Sequence, residues 1–260
     1  MIRLGTSGFS YDDWVGPFYP QDLPKQQWLS YYAAEFDTVE LNVSYYRVPS
    51  LRTVTGWVER TPENFLFSVK AHRSITHDRE GQLFGQMQEV LEPMVRSGKL
   101  GCILAQFPYS FHRTEDNYEY LKFVRKEFWG LPLVVEFRNE HWIQQRTFDF
   151  LAEWDLGFCC VDEPRLQGLI PPVVAVTGSI GYVRFHGRNA KQWWNHDHAW
   201  QRYDYQYNEE ELQEWLPHFR TLKSAAPLTL VYANNHYKGK SVETQRALQK
   251  ILAGEFGSLQ

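Results

Sequence analysis

The chain predicts an α/β fold, a (β/α)8 TIM barrel of eight parallel strands, and three observations carry that expectation. Eight short β-rich runs alternate with stretches of helical periodicity along 260 residues. Within the runs, residues two apart share chemistry, so a strand has one apolar face and one face that turns polar toward its C-terminal end. Alternating strand and helix implies parallel strands with crossover helices, and eight such units close on themselves. The length suits one barrel, residues 1–260, with no linker composition and no repeat of fixed period.

The runs are Ile2–Thr6, Thr38–Ser44, Leu66–His72, Cys102–Phe107, Leu133–Arg138, Phe158–Asp162, Gly181–His186 and Thr229–Asn235. Amphipathic stretches lie between them: Lys25–Phe36, Leu51–Arg60, Gln82–Ser97, Asp116–Phe128, Gln145–Trp154, Glu209–Ala225 and, after the last run, Val242–Ala253. The sixth crossover is irregular, because Glu163–Pro172 is rich in Pro and leaves room for only a short or displaced helix.

Parity assigns the faces. Val39, Leu41 and Val43 oppose Glu40, Asn42 and Ser44; Phe67 and Val69 oppose Ser68, Lys70 and His72. Ile103, Ala105 and Phe107 oppose Leu104 and Gln106, and Val135 and Phe137 oppose Glu136 and Arg138. In the sixth run Cys159 and Val161 are read as the helix-side face, with Cys160 and Asp162 turned inward. Val183 and Phe185 oppose Arg184 and His186, and Val231 and Ala233 oppose Tyr232, Asn234 and His236. Charges inside a barrel must pair or meet water, and the place where all these strand ends meet is the C-terminal mouth, where barrel enzymes keep their sites.

The mouth therefore holds the candidate residues. Catalytic candidates are Glu136, His186, His72 and Glu40, which offer general acid and base groups. Substrate-binding candidates are Asn42, Lys70, Gln106, Arg138, Arg184, Arg188, Asn234 and His236, with Trp193 and Trp194 from the loop after the seventh run. That loop, Gly187–Tyr207, carries six Trp and Tyr residues; it is read as a lid over the mouth or as a structural plug.

The chain has a net charge of −4, yet the mouth is neutral to basic, so the ligand expected is an anionic small molecule or a nucleic-acid fragment. Carboxylates are not placed at the ends of the fourth and seventh runs, which disfavours a common barrel glycosidase. No HExxH or comparable spacing concentrates metal ligands, and no phosphate or dinucleotide loop is present, so neither a metal nor a cofactor is expected. The reading is an enzyme using acid/base catalysis on a phosphorylated or otherwise anionic substrate, hydrolase or lyase in type. Two alternatives stay open: a non-catalytic binder of single-stranded or damaged nucleic acid, and a metal-dependent hydrolase. Three Cys in apolar runs, no leader-like N-terminus and no apolar run of membrane length predict a cytoplasmic protein with reduced thiols.

Longer motifs point the same way. GTSGFSYDDWVGPFYP, ELNVSYYRVPS, SVKAHRSITH, LAQFPYSF, VVEFRN, YVRFHGRN, YDYQYNEEEL and YANNHYKG occur in that order between Gly5 and Leu252. In these the chain resembles domain-of-unknown-function family 72, the YecE-like proteins. The resemblance implies a TIM barrel and no assigned activity. Its motifs cover Glu40, Asn42, Lys70, His72, Gln106, Glu136, Arg138, Arg184, His186 and Asn234. The family pattern often has His after EFR; here that place holds Asn139, which is given no role.

Overall fold

The computed structural model of the chain describes residues 1–79 and 83–257. Its strands are β1 (Ile2–Ser7), β2 (Thr38–Leu41), β3 (Leu66–Lys70), β4 (Leu100–Gln106), β5 (Leu133–Glu136), β6 (Gly157–Asp162), β7 (Ile180–Phe185) and β8 (Leu228–Ala233). They pair in parallel in sequence order, and β1 closes on β8. This is the barrel the alternation predicts.

Two helices form where apolar periodicity and side-chain capping coincide. Ser50 and Thr114 precede the helices Leu51–Glu59 and Glu115–Glu127, and each side chain accepts a hydrogen bond from a first-turn amide, that of Thr53 or Asn117. The predicted start at Gln82 lies outside the described residues, and the helix there is Phe84–Arg96. The stretch expected over Glu209–Ala225 is two helices, Glu209–Gln213 and Leu216–Ala225, the second with Pro217 in its first turn. Between Asp162 and Ile180 no helix forms, so the sixth crossover is irregular throughout. Among the described residues no helix is long and apolar enough to cross a membrane.

Register fixes which side chains fill the barrel. Ser7, Glu40 and Ser68 sit side by side on β1, β2 and β3, and Lys70, Leu104 and Val134 continue the inner face across β3, β4 and β5. Deeper inside, the Tyr232 hydroxyl meets Thr38 Oγ1 at 2.6 Å and Ser68 Oγ at 2.9 Å, satisfying polar atoms that water cannot reach.

One strand reverses the expected parity. Cys159 is paired with Tyr182 and Val161 with Arg184, so Cys159 and Val161 face inward while Cys160 and Asp162 face the helices. Asp162 is buried there by three donors: Arg188, Tyr207 Oη at 2.6 Å and Trp215 Nε1 at 2.8 Å. A buried carboxylate on the helix side is tolerable because every lone pair is engaged. The sequence run FCCVD carries nearly equal apolar content on both faces, so its terminal Asp misled the parity.

β2 also ends early. Asn42 leaves the strand and Val43–Tyr46 forms one helical turn, held by Ser44 Oγ donating to the Lys70 carbonyl at 2.6 Å.

Candidate functional site

Arg184 is the centre of the mouth. Its Nη1 donates to Glu136 Oε2 at 2.6 Å and its Nη2 to Glu40 Oε1 at 2.7 Å, joining three strands through one fully buried guanidinium. Tyr182 Oη donates to the other Glu40 oxygen at 2.7 Å. Arg138 Nε lies 2.7 Å from Glu136 Oε1 as a charge contact, and His186 Nε2 is 3.1 Å from the same oxygen. Burial would raise the Glu136 carboxyl, but Arg138, Arg184 and His186 together hold it well below the usual carboxylate range.

His186 is enclosed, with both ring nitrogens engaged: Asn234 Nδ2 donates to Nδ1 at 3.1 Å, leaving Nε2–H to donate to Glu136. Burial and the neighbouring Arg138 push its pKa down to about 3, so it stays neutral. Glu40, Glu136 and His186 are expected from the sequence to be proton carriers; their atoms are engaged by the guanidiniums, by Tyr182 and Asn234 and by one another, and they hold Arg184 and Arg138 in place.

Above this network opens a cavity of about 380 Å³. Lys70, Arg138, Arg184, Asn42, Asn234 and His236 give it polar walls. Tyr11, Tyr45, Tyr46, Trp200 and Tyr203 supply the aromatic ones. Lys70 Nζ stands 4.3 Å over the Tyr45 ring. Burial and Arg184 lower the Lys70 amine to about 7, against the opposing pull of Glu136. Among the described residues neither Lys70 nor Arg138 donates an aligned hydrogen bond, and Asn42 Oδ1 is buried without a partner.

His236 stacks on Tyr11 with centroids 4.6 Å apart. Its Nδ1–H donates to the Asn234 carbonyl at 3.2 Å, which leaves the Nε2 lone pair as the acceptor of the neutral ring. Burial lowers its pKa from the ordinary value.

Several other expected residues lie elsewhere. His72 Nδ1 caps the short helix Arg73–Thr76 by accepting from the Ser74 amide at 3.1 Å, and does not line the cavity. Gln106 is buried and donates to the Phe107 carbonyl at 2.6 Å. Arg188 is drawn outward by Asp162 at 2.7 Å and Glu214 at 2.9 Å, a direct consequence of the reversed face of β6.

The loop after β7 contributes different aromatics from those expected. Trp193 is 1% exposed and packs under the loop with Arg202 over its ring. Trp194 is half exposed and meets Tyr109 edge to face. Trp200 and Tyr203 are the ones that reach the cavity, because the turn Ala199–Arg202 brings them inward. Gly187 launches the loop at φ +88°, where an added Cβ would lie 2.7 Å from Tyr205 Cβ.

Glu163 is the residue that sequence reasoning missed. It continues the inner face of β6 two positions after Val161, its Oε2 is 3.5 Å from Arg138 Nη1, and its Oε1 accepts from the Ile170 amide at 3.0 Å. Burial raises its carboxyl to about 7 despite Arg138. Correct parity in β6 would have found it.

Known proteins share this architecture. The family model described as "Protein of unknown function DUF72" matches residues 3–259. The chain belongs to the DUF72 family. The UPF0759 protein YunF of Bacillus subtilis (strain 168) is 32% identical to this DUF72 chain over 278 residues, covering 100% of the chain and 97% of YunF. A crystal structure of a DUF72 family protein from Thermotoga maritima MSB8 superposes with a TM-score of 0.89 at 38% identity, covering 97% of this chain and 99% of that one. One from Enterococcus faecalis V583 gives 0.86 at 30% identity, with 97% and 95% covered. These DUF72 relatives share the barrel, and their names assign no activity.

Proposed function

We propose that this DUF72 protein is an enzyme that receives a small anionic substrate in the barrel mouth and moves a proton on it. One observation carries the reading: two cations, Lys70 and Arg138, face the cavity without an aligned hydrogen bond among the described residues. Donors left open beside a cavity await an acceptor, and an oxyanion satisfies both. Glu40 and Glu136 offset Arg184 and Arg138 from below, and Lys70 and Glu163 are both shifted to about 7, so the mouth carries no negative surplus at neutral pH and turns cationic below it.

His236 and Lys70 carry the proton in this reading. His236 presents an unengaged Nε2, and the Lys70 amine titrates near neutrality, where a general acid or base works best. Metal-dependent hydrolysis loses support because the oxygens of Glu40 and Glu136 are occupied by guanidiniums and by the Tyr182 hydroxyl. The exposed rings of Tyr46 and Trp194 favour a second reading, stacking of single-stranded nucleic acid at the rim.

Inorganic phosphate tests the anion site. It is expected to raise the melting temperature by mass action, more at pH 6.5 than at pH 8.5 because Lys70 is then protonated and Glu163 neutral, and Lys70→Gln narrows that pH difference. A panel of small phosphorylated and carboxylated compounds in D2O tests the chemistry, with carbon-bound deuterium as the readout. Absence of any phosphate effect, or strong stabilisation by Mg2+ or Mn2+ instead, overturns the reading. Oligonucleotide binding with steep salt dependence and no exchange favours the second one.

A further inference from the structure

We infer that Lys70 is a nucleophile whose amine captures the carbonyl carbon of a small anionic aldehyde or ketone as an imine. The inference rests on the anion reading above and deepens it by naming the substrate class.

The geometry separates Lys70 from the other buried cations of the mouth. Arg184 is consumed by Glu40 and Glu136, and Arg138 leans on Glu136 and Glu163. Lys70 Nζ lies over the Tyr45 ring, faces the cavity, and has no carboxylate within ion-pair distance among the described residues. Burial, and after it the nearby Arg184 and Arg138, outweigh the pull of Glu136 and Glu40 on the Lys70 amine, and its pKa falls to about 7. Half of the amines are then neutral at pH 7, about a thousandfold more than for a surface lysine. A free amine facing a cavity is the form that attacks carbonyl carbon.

The step balances with groups already present. The Nζ lone pair forms the N–C bond while the carbonyl π pair moves to oxygen. The proton gained in surplus by nitrogen passes to that oxygen, giving a carbinolamine. Loss of the hydroxyl as water, with a second proton from nitrogen, leaves the C=N bond. His236, which lines the same cavity and keeps Nε2 as the acceptor of its neutral ring, is the group proposed to relay both protons. Arg138 keeps its outer guanidinium donors for the substrate's carboxylate or phosphate, and Asn42 Oδ1 accepts from a hydroxyl. Taking back a proton on nitrogen turns the imine into an iminium, which draws electrons from the neighbouring carbon and makes its C–H bond acidic, the chemistry that a proton-moving site requires.

The test uses the full chain, glyoxylate as the probe, and cyanoborohydride to fix any imine as a stable secondary amine. Peptide mapping at pH 7 is expected to find Lys70 modified at least ~10-fold faster than any other lysine, inorganic phosphate to slow it, and uncharged propanal to label it far less. Lys70→Arg keeps the charge and cannot form an imine. It should fold with an unchanged circular dichroism spectrum and show no fast site. If phosphate stabilises the protein but Lys70 reacts no faster than surface lysines, the imine is overturned and the anion site stands. If Lys70 is labelled equally by propanal and phosphate gives no protection, the anionic class is overturned. If neither stabilisation nor labelling occurs, both readings fall.

Discussion

At Glu163 burial sets one part of the protein's response to pH. The carboxyl lies inside the barrel wall with one oxygen accepting from Ile170 and the other turned toward Arg138. Its pKa rises from 4.5 to about 7, so the folded state holds the proton more tightly than the unfolded chain does. The stability it contributes is full below about pH 4.5 and is lost as pH rises through about 7. Glu163→Gln keeps an acceptor for the Ile170 amide and has nothing to titrate. Urea unfolding should show the wild type losing about 3 kcal/mol relative to the variant between roughly pH 4 and pH 8. A difference that does not change with pH would mean that Glu163 is ionised throughout. Lys70 runs in the opposite sense: its lowered pKa contributes stability above the unfolded value that is lost as pH falls through about 7. Comparing variant with wild type cancels that contribution.

The element that most needs separate tests is the loop after β7, because it serves as plug and wall together. Its fixed points are Asn189, whose Nδ2 donates to the carbonyls of Gln201 and Asp204, and Tyr207, whose hydroxyl bonds the Gly187 amide at 2.9 Å. Trp193 belongs to the plug, so Trp193→Ala should cost ~3–5 kcal/mol, as for other enclosed aromatic truncations. Trp200 belongs to the wall and stacks on Tyr237 at 4.1 Å. An aromatic wall predicts that the wild type binds phenyl phosphate more tightly than inorganic phosphate, and Trp200→Ala should remove that difference while leaving the melting temperature close to wild type. Equal destabilisation by the two substitutions would mean that the loop packs as one block.

On the scale of the whole barrel, the three thiols report opening of the wall. Cys102, Cys159 and Cys160 are buried on β4 and β6, and burial raises all three, Cys102 and Cys160 to about 12. A domain stable by about 5 kcal/mol exposes such groups in fewer than about one molecule in a thousand. A disulfide reagent at neutral pH should therefore react with all three at one slow rate that urea accelerates. One thiol reacting quickly in native buffer would place a local opening at its strand.

The amino-acid sequence by itself determined the barrel and the end of it at which the polar strand-end residues gather. Strand parity survives translation into structure wherever the two faces differ strongly, as at Glu40 beside Val39 or Arg184 beside Val183, because an apolar face and a charged face cannot exchange places without burying unpaired charge. It fails at Phe158–Asp162, where both faces are apolar enough, and that one reversal moved Asp162 and Arg188 out of the mouth and Glu163 in. Tertiary structure alone decided which mouth residues are free to act. Glu136, His186 and Glu40 read as reactive groups one strand at a time, yet their atoms are spent on Arg184, Arg138, Tyr182 and Asn234, which come from other strands. Among the described residues Lys70 Nζ meets only the face of the Tyr45 ring and His236 bonds only through Nδ1, which leaves polar atoms of both without a hydrogen-bond partner. Whether a charge is spent or available depends on neighbours that are distant in sequence, and strand period carries no record of those neighbours.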